Sequence, residues 1–161
     1  MLLWGRGFHR NPGPNYWSLM THHLNNGRCP KCAEIMGRFP GLYRPLRAWF
    51  VYFQNDNPEA HVSEAGRGRE KQELEFSEGD TKAHWLESAH NWNAALDIFI
   101  QLSGHGIYDR EWFTKVLAPE IPKTLVWYGR PDCTFREFPH VEVAGWKKLR
   151  DSGLLVPVET T

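Results

Sequence analysis

The chain has 161 residues, 41% hydrophobic and 24% charged, which excludes a disordered polypeptide and provides for one ordinary domain. Nineteen basic and nineteen acidic side chains cancel, so there is no electrostatic footprint for nucleic acid or an anionic membrane surface. No apolar run approaches the roughly 18 residues of a spanning helix, and Met1-Leu2-Leu3-Trp4 runs straight into Gly5, Arg6 and Gly7 without a signal-peptide core, so the expectation is a soluble protein made in a cytoplasm.

Residues 1–19 read as loop, punctuated by Gly5, Gly7, Pro12, Gly13 and Pro14. Met20 offers an equally good start, so these residues are expected to form a poorly ordered extension ahead of a domain over 20–161. Cys29-Pro30-Lys31-Cys32 has zinc-knuckle spacing with His22 and His23 nearby, but no second Cys-x-x-Cys completes four ligands. The third cysteine, Cys133, excludes a fully paired disulfide framework, and buried or helix-start thiols are the favoured reading. From Cys32 to Phe53, apolar residues at spacings of three and four are interrupted by Pro40-Gly41 and Pro45. The pattern predicts a short helix, a break, and a second helix ending before Asn55.

His61-Val62-Ser63 reads as a short strand, and Glu70–Glu78 as a helix stopped by Gly79. Ala94–Leu102 is nearly continuous apolar, which predicts a buried strand with Asp97 as its one charge. Asp109 N-caps a helix reaching Leu117, ended by Pro119 and Pro122. Thr124–Tyr128 and His140–Val143 read as strands, and Trp146–Arg150 as a last short helix. The order predicts one α+β domain, a small antiparallel sheet flanked by helices.

Eight histidines and eight tryptophans are the unusual part of the composition. Asp97 needs compensation inside its apolar strand, because an unpartnered buried carboxylate is costly. An arginine or a backbone cap would serve, and so would a metal ion shared with His90 just upstream. Pro139 stiffens the approach to His140, and Glu137 lies three residues before it. Two histidines and one carboxylate leave a fourth position on zinc open, as catalytic sites do. A nearby glutamate that is not a ligand can then shuttle the proton.

Together Ser88-x-His90, Asp97 and Glu137-x-x-His140 resemble the zinc peptidase superfamily of D-Ala-D-Ala carboxypeptidases, D-Ala-D-Ala dipeptidases and L-alanyl-D-glutamate endopeptidases. Hedgehog signalling domains share that fold. The superfamily's first motif, S-x-H-x-x-G-x-A-x-D, stands here as Ser88-Ala89-His90-Asn91-Trp92-Asn93-Ala94-Ala95-Leu96-Asp97. Asn93 replaces the glycine, a departure that bears on the loop over the metal. The superfamily's upstream arginine, with a glutamine five residues on, matches Arg67 and Gln72, with Arg69 as the alternative register. Cys-Pro-Lys-Cys and the Trp127-Tyr128-Gly129 segment are similar to phage lysis enzymes. The resemblance covers about residues 29–150.

The resemblance implies one zinc ion held by His90, Asp97 and His140. It implies Glu137 as the base that activates water and Arg67 as the group stabilising the oxyanion. Ser88 is read either as a substrate contact or as a turn cap, and His84 either as a cleft residue or as an exposed loop histidine. The implied reaction is cleavage in the stem peptide of bacterial peptidoglycan, foremost as an L-alanyl-D-glutamate endopeptidase. A D-Ala-D-Ala carboxypeptidase or dipeptidase is the alternative, and a non-catalytic zinc-containing binding module is a third reading. The expected setting is a monomeric phage endolysin without a signal peptide. It would accumulate in the host cytoplasm and reach the wall after holin-type release, a virion-associated lysin being the other possibility.

Overall fold

Pro45 opens the first turn of helix α1 (Arg44–Asp56), where a missing N–H removes no helix hydrogen bond. The helix buries Leu46, Trp49, Phe50 and Phe53 along one stripe. It runs two residues past the predicted end because Asn57 closes it. The Asn57 backbone N–H and Nδ2 both donate to the Phe53 carbonyl, at 3.0 and 2.9 Å. The computed structural model describes residues 40–102, 105–134 and 136–159. The expected extension over 1–19, the Cys29/Cys32 pair and the short helix read ahead of Pro40 lie outside the described residues.

Strand β1 (Ala60–Glu64) and helix α2 (Arg69–Glu78) follow close to their predicted positions. Gly79 ends α2 in the left-handed conformation, φ 84°, which a residue without a side chain adopts freely. A 3-10 turn (Ala89–Trp92) leads into β2 (Ala95–Leu102), as the apolar run predicts. The short β3 (His105–Ile107) is exposed throughout and carries no apolar alternation to mark it. Asp109 caps α3 (Arg110–Trp112), its Oδ1 accepting from the Glu111 and Trp112 amides at 2.8 and 3.4 Å. The predicted regular helix then departs from expectation: it widens into a π turn (Phe113–Leu117) and tightens into a 3-10 turn (Ala118–Glu120) that includes Pro119. Strands β4 (Leu125–Trp127) and β5 (His140–Val143) and helix α4 (Trp146–Asp151) complete the order.

The strands form one antiparallel five-stranded sheet in the order β1-β2-β5-β4, with β3 beside the far end of β2. The architecture is α+β, as predicted. Alternation along β2 buries Leu96, Ile98 and Ile100 and turns Asp97 to the other face. Leu96 and Ile98 join Phe50, Phe113, Leu117 and Val141 in one core. Among the described residues, no helix is long and apolar enough to cross a membrane.

Candidate metal centre and its cleft

Sheet register sets up the site. Asp97 on β2 lies opposite Glu64 of β1 on one side and His140 of β5 on the other. Alternation on β5 buries Val141 and Val143 in the core and keeps His140 and Glu142 together on the opposite face. His90 arrives from the 3-10 turn, whose geometry is heavily specified. Ser88 caps it, with Oγ accepting from the His90 amide at 3.3 Å. Asn91, fully buried, returns the cap by accepting from the Ser88 and Leu86 amides, and it donates to the Arg67 carbonyl and to Gln72 Oε1, both at 3.0 Å. Asn93, where the resembled motif has glycine, takes the left-handed conformation, φ 55°, which asparagine adopts more readily than most residues with a side chain. The turn closes on it, the Asn93 amide donating to the Ala89 and His90 carbonyls.

Three ligand-type atoms converge. His90 Nε2 lies 3.3 Å from Asp97 Oδ1, His140 Nδ1 lies 3.1 Å from the same oxygen, and the two ring nitrogens are 3.1 Å apart. A tetrahedral ion with ligand bonds near 2.05 Å sets its ligands about 3.3 Å apart. The donor set and its spacing thus fit a zinc-like ion, and among the described residues His90, Asp97 and His140 form the metal-competent group. Both histidines are buried, at 2% and 7% exposure. Burial opposes a charge on His140, but hydrogen bonds to Asp97 and Glu142 outweigh it and push its pKa up to about 10. Burial likewise opposes ionisation of Asp97, yet hydrogen bonds from His140 and His90 prevail and hold it well below the usual carboxylate range.

The cleft beside these residues encloses about 1160 Å³ and is lined by Arg67, Ser88, Glu137 and Glu142 among others. Glu137 is half-buried and makes no side-chain hydrogen bond or ion pair to another described residue. Arg67 is not free: its guanidinium pairs with Glu64 and, at 2.7 Å, with Glu75, while Lys71 also reaches Glu64 at 2.6 Å. Arg69, the alternative register, is an exposed residue at the start of α2. Ser88 both caps the turn and faces the cleft. His84 is not brought there. It stacks on Phe76, ring centroids 3.7 Å apart, pairs with Glu73 at 3.2 Å, and is absent from the cleft wall. Its neighbours Lys82 and Ala83 line the cleft instead.

Sequence reasoning passed over Glu142 and Tyr128, which stand directly behind His140: Nε2 lies 3.1 Å from Glu142 Oε2, and the Tyr128 hydroxyl donates to Oε1 at 2.6 Å. Burial and the Glu142 carboxylate push the Tyr128 hydroxyl far above its ordinary pKa. Asn91 was overlooked as well, although Ser-x-x-Asn is a variant of the capping-box spacing and could have marked it.

Among solved structures, the chain is similar to the Serratia marcescens L-Ala D-Glu endopeptidase ChiX, with a TM-score of 0.56 at 17% identity, over 72% of this chain and 87% of that one. At that identity the likeness establishes the fold. No protein-family profile matches, and no curated protein gives a significant match.

Proposed function

We propose that this chain is a zinc-dependent peptidase of bacterial peptidoglycan, cutting the stem peptide as an L-alanyl-D-glutamate endopeptidase. The observation that carries the reading is the convergence of His90 Nε2, Asp97 Oδ1 and His140 Nδ1 beside a cleft whose wall holds Glu137, a carboxylate with no side-chain partner among the described residues. The fold shared with ChiX adds to it. When bound, zinc would supply Lewis-acid polarisation of the scissile carbonyl and acidify the attacking water. Glu137 takes the proton from that water and returns it to the leaving amine, a role that needs a carboxylate not already committed to a partner. Arg67 donates N–H groups toward the developing oxyanion. Its cluster of two cations and two carboxylates (Arg67, Lys71, Glu64, Glu75) is neutral, so it acts by oriented donors rather than by net charge. Ser88 holds the turn that presents His90. The proposed setting is phage-directed lysis by a monomeric enzyme made in the host cytoplasm, which meets the wall after holin-type release.

The test is digestion of purified Gram-negative peptidoglycan with mass spectrometry of the fragments, with and without a chelator. Fragments bearing a new N-terminal D-glutamate, abolished by chelator and restored by zinc, are the expected result. Release of D-alanine or its dipeptide would move the assignment to a carboxypeptidase or dipeptidase. A folded, zinc-loaded chain that releases nothing would overturn the hydrolase reading in favour of a binding module.

A further inference from the structure

Of the two histidines at the metal centre, one has a built partner behind it. The His140 Nε2 contact to Glu142 Oε2 is 3.1 Å. Nδ1 faces the other two ligand-type groups, Asp97 and His90, so it is the nitrogen that would give up its proton to an ion, while Nε2 keeps its own and donates it to the Glu142 carboxylate. Glu142 is itself held. Tyr128 donates to its other oxygen at 2.6 Å, and its backbone sits in a central strand, opposite Ala95 on one side and Val126 on the other. At 14% side-chain exposure the carboxylate has little room to swing away. His90 offers the contrast: its Nδ1 is buried and finds no hydrogen-bond partner among the described residues.

We infer that Glu142 is a positioning residue for the metal centre, fixing His140 in the tautomer and ring orientation that presents Nδ1 to the ion, and that Tyr128 fixes Glu142 in turn. The inference rests on the zinc reading above and extends it to two residues that supply no ligand atom.

The experiment is competition for Zn2+ between the chain and a chromophoric chelator, paired with nitrogen-15 ring spectra of the zinc-loaded chain. Glu142→Ala is expected to weaken zinc binding about 10- to 100-fold, the usual consequence of removing such an outer partner. Tyr128→Phe is expected to weaken it a few-fold. Glu142→Gln, whose amide oxygen still accepts from Nε2–H, is expected to restore most of the affinity. A purely structural role would lower the thermal midpoint of the metal-free variants while leaving their zinc affinity unchanged, and that outcome overturns the inference. Should Glu142→Ala fail to fold, the ring spectra of the unaltered chain decide: a His140 with Nε2 protonated and Nδ1 metallated supports it, and metallation at Nε2 overturns it. A chain that binds no zinc overturns both this inference and the functional reading. A chain that binds zinc through Nδ1 but cleaves no peptidoglycan overturns the functional reading alone.

Discussion

On the reading proposed above, zinc has to displace a proton from His140. In the metal-free chain the ring is surrounded by carboxylates and titrates at about 10, whereas Asp97 is ionised throughout the working range. A metal ligand has to be deprotonated, so each zinc bound between pH 7 and 9 is expected to release about one proton. The association constant then rises about tenfold per pH unit, about 100-fold across that window. At pH 7 the proton opposes binding by about 4 kcal/mol, three units below the His140 pKa. Without metal the dependence has the opposite sense. A raised His140 pKa stabilises the fold fully below its unfolded value of 6.5, and the contribution is lost as pH climbs toward about 10. The lowered Asp97 pKa contributes above its unfolded value of 3.8 and is lost as pH falls. The metal-free chain is therefore most stable from pH 3.8 to 6.5, and the gain in thermal midpoint on adding zinc grows with pH. Calorimetric titration of zinc into the chelator-stripped chain, at one pH in buffers of different ionisation enthalpy, counts the released protons. No proton released, or an affinity flat from pH 7 to 9, would refute the reasoning.

Glu137→Gln is expected to lower turnover on peptidoglycan about 10²- to 10⁴-fold while zinc affinity changes little, because the proposed mechanism has this side chain move a proton and supply no ligand atom. Gly129→Ala would set a new Cβ 2.1 Å from the ring of Trp127. That ring is buried and donates to the Phe138 carbonyl at 2.8 Å, so a loss of about 3 kcal/mol is expected by denaturant unfolding. Gln72→Leu keeps roughly the volume of a fully buried side chain but strips the Ala83 carbonyl of its 2.7 Å donor and Asn91 of an acceptor. The expected cost is about 3 kcal/mol, a fall in thermal midpoint of roughly 6–12 °C.

The parts of the fold that could be read from sequence are those where one local rule dominates. Ala95–Leu102 announces itself because burial on a central strand needs an apolar run, and Asp97 stands out against that run. Gly79 marks the end of α2 because the left-handed position favours glycine. The strand β3 was not legible, since three exposed residues show no alternation. Nor was the π turn at Phe113–Leu117, because five residues cannot separate its period from that of an ordinary helix. In the candidate site, the ligand-type residues could be picked out by spacing. Glu142 could not, because a charged residue alternating with valines on a strand looks like any solvent-facing position. Its meaning depends on Tyr128, which only the register of β4 against β5 brings near. His84 fails for the opposite reason: it stands close to the motif along the chain, but the Phe76 and Glu73 contacts draw it to the outer side of α2.

The sheet order carries a consequence for assembly. β5 is the last strand among the described residues yet lies between β2 and β4, both made before it. His140 and Asp97 are 43 residues apart, and His140 and His90 are 50. Bringing them together means closing a long loop and slotting a strand into a gap held open for it, steps whose entropy must be met before the pairing rewards it. A chain whose synthesis has not reached β5 therefore holds only two of the three ligand-type residues and lacks the strand that joins β2 to β4.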